Sequence, residues 1–180
     1  MPIQFRLLLA FAALSACAGI ASAHGPTPQK VEEKIAISVP PDAVWKLIKD
    51  FGSIGAWHPS VASAKSEGGN ASGATRTFTL KSGGGELVES LDDYQEKDMS
   101  YGYRLATEND EAFPASFYSD TIQVVPASGG SEVVWGSRFY RADTTNEPPE
   151  NKNDEAAIKA TEDFIKAGLA GIKAKAEGKG

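Results

Sequence analysis

Hydrophobic and polar positions change their period repeatedly along this chain, and each change marks a predicted element. The first stretch, 1–23, holds one charge, Arg6, then the apolar run Leu7-Leu-Leu-Ala-Phe-Ala-Ala-Leu14, and closes on Ala21-Ser22-Ala23. A positive start, an apolar middle and a small-residue end are the layout of a secretory signal peptide. The run is too short and too rich in alanine for a spanning helix. From 31 to 39 apolar and polar residues alternate, with Val31, Ile35, Ile37 and Val39 on one face, which predicts a strand. Pro40-Pro41-Asp42 stops that strand and opens a helix, because proline is tolerated in a first turn and an acid suits the positive helix end. Val44, Leu47, Ile48 and Phe51 recur at helical spacing, with Trp45 widening the stripe, so the helix is predicted to run to about Gly52. A compact bend over 54–61 contains Trp57-His58-Pro59.

Beyond that bend the helical period is lost until about residue 152. Strands are predicted at 61–67, 74–82, 85–95, 99–106, 115–126 and 131–143, separated by Gly68-Gly69-Asn70, Gly83-Gly84-Gly85, Glu96-Lys97-Asp98 and Ser128-Gly129-Gly130. Connections this short imply an antiparallel meander. After a linker over 144–153, a long helix starts at Asp154, with Ala157, Ile158, Thr161, Phe164, Ile165, Leu169 and Ile172 along one stripe. Strand, short helix, six strands and long helix make an α+β fold. Its curved sheet of about seven strands wraps the last helix and encloses a cavity unless large side chains fill it.

The chain has 180 residues, a formal net charge of −6 and 41% hydrophobic residues. That suits one globular domain over 24–180 and excludes disorder by composition. An acidic balance without a basic cluster argues against nucleic acid as a partner. The single cysteine, Cys17, lies in the leading segment, so a chain cut after Ala23 is free of thiols, which suits an oxidising compartment. Leu14-Ser-Ala-Cys17 reads alternatively as a lipobox, with Cys17 as the acylated anchor. The mature chain has no predicted membrane segment. Two histidines and no Cys/His spacing leave no predicted metal site, and no phosphate loop or dinucleotide fingerprint predicts a cofactor. A cut after Ala23 makes His24 the terminal residue, which is read as a frayed end and not as a copper ligand.

The run Val39-Pro-Pro-Asp-Ala-Val-Trp-Lys-Leu-Ile-Lys-Asp-Phe-Gly-Ser-Ile-Gly-Ala-Trp-His-Pro-Ser-Val61 resembles the opening of the START/Bet v 1-like (SRPBCC) superfamily, in its polyketide cyclase/dehydrase-like branch. Gly73-Ala-Thr-Arg-Thr-Phe-Thr-Leu80, Val88-Glu-Ser-Leu91, Met99-Ser-Tyr-Gly-Tyr-Arg104 and Tyr118-Ser-Asp-Thr-Ile122 continue the resemblance in order. It implies a helix-grip fold with an internal cavity. A narrower resemblance, over Ala23-His-Gly-Pro-Thr-Pro-Gln-Lys-Val31 and Asn153-Asp-Glu-Ala-Ala-Ile-Lys-Ala-Thr161 with Ala167-Gly-Leu169, is to MxaD-like periplasmic proteins of bacterial methanol oxidation. That implies a non-catalytic accessory of methanol dehydrogenase and its cytochrome c acceptor, located in the periplasm. The alternatives are a carrier or sensor of a small apolar ligand, or a cyclase- or dehydratase-like enzyme using Glu89, Tyr118 or His58.

Alternation places two charges on apolar faces without reference to any family. Arg76 shares a strand face with Phe78 and Leu80, and Glu89 lies between Leu87 and Leu91 on its own strand. If those apolar residues face the cavity, both charges do so too, and each then needs a partner, since an unpaired buried charge costs several kcal/mol. Two readings follow: an internal salt bridge that specifies the fold, or a clamp for the polar end of a ligand. The superfamily resemblance adds Glu89 and Tyr118 as ligand contacts, and Arg76 less directly. Tyr101, Tyr103 and Trp135 are expected on the cavity wall, as core or as recognition groups. Trp57 and His58 are expected at the pocket entrance, His58 either as a general base or as packing. No nucleophile or second acid at close spacing supports a triad or dyad, so nothing in the sequence requires catalysis.

Overall fold

Residues 25–178 are described in the computed structural model of the chain. The predicted signal segment, Cys17 and His24 lie outside them. Seven strands form one antiparallel sheet: β1 (Gln29–Ile37), β2 (Val61–Glu67), β3 (Thr75–Leu80), β4 (Glu86–Gln95), β5 (Ser100–Thr107), β6 (Ala115–Ala127) and β7 (Gly130–Arg141). β2 through β7 pair consecutively, and β1 lies beside β7, giving the order β1-β7-β6-β5-β4-β3-β2. The alternation that predicted the strands is the alternation of burial. In β3, Arg76, Phe78 and Leu80 are buried and the intervening threonines are half-exposed.

The first helix is shorter than its periodicity predicts. α1 spans Pro41–Ile48 and does not reach Gly52. Asp50 leaves helical geometry, and its side chain accepts the Gly52 N–H to cap a single turn over Phe51–Ser53, after which α2 (Ile54–Trp57) begins. Phe51 stays buried, so the apolar stripe continues through a change of helix type. That is why the periodicity did not reveal the break.

α3 (Asp154–Ala176) covers the sheet. The Asn153 side chain accepts the Ala156 N–H at its start, Asp154 and Glu155 occupy the first turn, and Lys173 and Lys175 the last, each matching the helix dipole. The Arg141 guanidinium at the end of β7 pairs with Asp154 at 3.0 Å, tying the last strand to the helix start. Two glycines let α3 come close to the bend after α2. A Cβ at Gly168 would stand 2.5 Å from the Trp135 ring and 2.9 Å from His58 Nε2, and one at Gly171 would overlap the Trp57 carbonyl oxygen.

One irregularity sets the phase of β6. Its pairing with β7 slips by a residue between Ser116 and Ser119, and Phe117 adopts φ +50, a left-handed backbone that a bulky side chain rarely takes. Phe117 is turned outward, 66% exposed, against Tyr140. Beyond the bulge Tyr118, Asp120, Ile122 and Val124 all face inward.

Candidate functional site

The interior site is built on β3, β4, β6 and β7 under α3. Arg76 and Glu89 are directly opposed in the β3–β4 register, and both are buried. Arg76 Nε donates to Glu89 Oε2 in a close ion pair, and Arg76 Nη1 donates to the Phe51 carbonyl at 3.1 Å. The guanidinium is sandwiched between the Phe51 and Tyr103 rings, 4.4 Å from each centroid. Burial works against this cation, but Glu89, with Tyr103 and Tyr101, outweighs it and holds the guanidinium pKa above its ordinary value. The second Glu89 oxygen, Oε1, accepts the Tyr118 hydroxyl at 2.7 Å. Burial first, and Glu89 second, push the Tyr118 phenol well above its usual range, so it remains a donor.

A second carboxylate lies on the same β6 face as Tyr118. Asp120 Oδ2 accepts the Trp135 indole N–H at 2.9 Å and the Tyr103 hydroxyl at 3.1 Å. Burial raises the Asp120 pKa to about 6, against the opposing pull of Ser137, Trp135 and Tyr103. Ser137 lies close enough to favour the charged form, yet without hydrogen-bond geometry. Asp120 Oδ1, Ser137 Oγ and Thr161 Oγ1 are buried with no hydrogen-bond partner.

Asp120, Ser137 and Thr161 line a cavity of about 10 Å³, whose walls also include Glu89, Tyr118, Phe78, Phe113 and Phe164. That is room for about one water-sized group. Large side chains have filled most of the space that the fold could enclose. On the other side of Phe113 and Phe164 an open groove of about 590 Å³ runs past Pro59, Leu80 and Ala160. The two rings, packed edge to face with centroids 5.8 Å apart, separate groove from cavity.

Of the residues expected on the cavity, Glu89 and Tyr118 line it, while Arg76, Tyr103 and Trp135 are buried behind it. These five fall into two hydrogen-bonded groups, Arg76 and Tyr118 on Glu89, and Tyr103 and Trp135 on Asp120. Tyr101 is buried apart from the cavity, against Trp45, Phe51 and Tyr103. Trp57 and His58, expected at an entrance, are instead each 2% exposed and lie beneath α3. The His58 ring stacks on Phe164, its Nδ1 accepts the Ser60 N–H at 3.2 Å, and Nε2–H donates to the Phe164 carbonyl at 3.0 Å. Burial lowers its pKa to about 4, so at neutral pH it is an uncharged packing group. Asp120, Ser137 and Phe113 were not singled out from sequence. Asp120 had a readable signal, since it follows Tyr118 by two positions on the same face.

Residues 28–177 match the model of a family described as polyketide cyclase/dehydrase and lipid transport. No curated protein matches the sequence. Among solved structures, the chain is similar to an uncharacterized protein from Bacillus thuringiensis, at 25% identity and TM-score 0.66 over 84% of this chain and 99% of that one. It is also similar to the protein XoxI from Bacillus cereus, at 25% identity and TM-score 0.64 over 82% and 94%. An aromatase/cyclase from a Streptomyces species shares the fold at 13% identity and TM-score 0.66, over 84% and 94%. The seven-stranded curved sheet with its long last helix is the Bet v 1-type helix-grip architecture.

Proposed function

For a chain that belongs to the polyketide cyclase/dehydrase and lipid transport family, we propose a role in binding: it holds a small, largely apolar molecule by its polar end inside the curve of the sheet. One observation carries this reading. The Asp120 and Glu89 carboxylates and the Ser137 and Thr161 hydroxyls meet in an aromatic-walled space that shares Phe113 and Phe164 with an outer groove. The Arg76–Glu89 pair acts as scaffold, because Glu89 already accepts from both Arg76 and Tyr118. Asp120 keeps an oxygen to offer. The test is titration of small aromatic compounds followed by tryptophan fluorescence, since Trp135 reports on Asp120 directly. A Phe164→Ala variant should take up such compounds faster than the wild type. Unchanged fluorescence in both proteins across the series would remove the reading.

The narrower resemblance carries a second role, that of an exported accessory to methanol dehydrogenase and its cytochrome c. Its support is the pair of sequence segments 23–31 and 153–169. Purified protein added to the dehydrogenase and its cytochrome should change the electron-transfer rate, less so at high salt. No change at any ratio removes this role and leaves the binding reading standing.

A further inference from the structure

Asp120 Oδ1, Ser137 Oγ and Thr161 Oγ1 approach the cavity from two strands and the covering helix, all of them at least nine-tenths buried. A buried polar atom without a partner is costly, and three around one water-sized space are an arrangement that seeks a specific occupant. Asp120 Oδ1 can only accept, while the Ser137 and Thr161 hydroxyls can each accept or donate, so a head with several donors can serve all three. An ammonium head carries three N–H donors and no acceptor, and it is about the size of a water molecule. A hydroxyl can serve the three only by donating to Asp120 and accepting from the other two, and it brings no charge to balance the carboxylate.

Charge points the same way. Glu89 on the cavity wall is paired with Arg76, whereas Asp120 is held by neutral groups alone, Tyr103 and Trp135 with Ser137 nearby. The ionised interior therefore has one carboxylate without a cation, and a buried carboxylate left so is strongly disfavoured. The rings of Phe78, Phe113 and Phe164 offer faces suited to a cation and its apolar body. Resting on the binding reading above, we infer that the site selects a primary amine. Its ammonium head lies among Asp120, Ser137 and Thr161, and its apolar body passes between Phe113 and Phe164 into the groove.

The inference is tested by calorimetric titration of the purified protein with phenethylamine, phenethyl alcohol and ethylbenzene at neutral pH. These share a body and differ in the head. Phenethylamine should bind at least about tenfold tighter than the alcohol, because a charge-assisted contact is about twice as strong as a neutral one. Asp120→Asn keeps the shape and the acceptor for Tyr103 and Trp135, and should abolish the preference while changing alcohol affinity by less than about threefold. If that variant does not fold, Thr161→Val should reduce the preference. In the wild type the preference should also fade below the Asp120 midpoint of about 6. Glu89 across the cavity, with Tyr103 and Tyr118 beside it, are the other titratable groups facing that carboxyl. Equal binding of amine and alcohol, or a preference untouched by Asp120→Asn, overturns the amine assignment and leaves ligand binding in place. Binding of none of the three overturns both.

Discussion

Phe164 grips His58 twice, by its ring at a centroid distance of 4.0 Å and by its carbonyl, which accepts the His58 Nε2–H at 3.0 Å. The same phenyl ring is half of the barrier between groove and cavity. The imidazole therefore acts as a support for the barrier. Its Nδ1 is already occupied as an acceptor by the Ser60 N–H, and a second proton there would set two donors against each other.

The pH dependence of stability contains two opposed contributions. His58 has a folded pKa of about 4, below its ordinary 6.5, so its contribution is complete above pH 6.5 and is lost as pH falls toward 4. Asp120 has a folded pKa of about 6, above its ordinary 3.8, so its contribution is complete below pH 3.8 and is lost as pH rises toward 6. Each amounts to on the order of 3 kcal/mol, so between them they nearly cancel. Asp120→Asn should lose stability faster than the wild type on acidification from pH 6 to 4, and His58→Gln should lose it more slowly. Urea midpoints across that range give the slopes, and parallel curves for all three proteins would contradict the assignment.

Breaking the Arg76–Glu89 pair on one side should be much worse than removing it. Arg76→Met or Glu89→Leu leaves a buried partner uncompensated and should cost about 3–5 kcal/mol, while the double change Arg76→Met with Glu89→Leu should recover a large part. Chemical denaturation of the four proteins measures the coupling. Additive losses would show that the two charges act independently.

Gly171→Ala should destabilise although it lies inside a helix. In an exposed helix interior the change gains roughly 1 kcal/mol. Here the new methyl meets the Trp57 carbonyl, a backbone group that cannot turn aside. A loss of about 2–3 kcal/mol is expected, read as a lowered Tm. A raised Tm would mean that α3 can lift from the Trp57–Pro59 bend without penalty.

Phe117→Gly should stabilise. Left-handed backbone costs a substituted residue roughly 1–2 kcal/mol, and the ring touches little besides Tyr140. A gain of about 1 kcal/mol is expected, while a loss would mean that the Tyr140 contact outweighs the strain.

The order of elements and the inward pair Arg76 and Glu89 were legible because strand alternation is a local property of the chain, whereas Tyr118 came from the family resemblance. The end of α1 was not, because Phe51 keeps the apolar stripe while Asp50 changes the hydrogen bonding beneath it. The bulge at Phe117 was hidden for a related reason. It inserts one residue into β6, and the strand still reads as apolar and polar in turn on either side. Of the two sequence readings for Arg76 and Glu89, an internal pair or a ligand clamp, the β3–β4 register brings the two side chains together as a pair. The filling of the cavity depends on Phe113 and Phe164, which come from a loop and from α3, and no local period relates them. His58 was misplaced for the same reason, since Phe164 and Gly168, which bring α3 over its ring, are more than a hundred residues away in sequence.

The position of β1 has a consequence for how the molecule assembles. β2 to β7 can form by successive hairpins, each closing a short loop, but β1 finds its only neighbour when Gln29 comes to lie opposite Phe139 and Ile37 opposite Ser131. That closure spans about two thirds of the domain, so it carries the largest loop-closure entropy among the strand pairings. α3 packs on both β1 and β7 and gains its full contact only afterwards. The strand nearest the start and the helix nearest the end thus shield Asp120, Ser137 and Thr161 together, through the longest-range contacts of the domain.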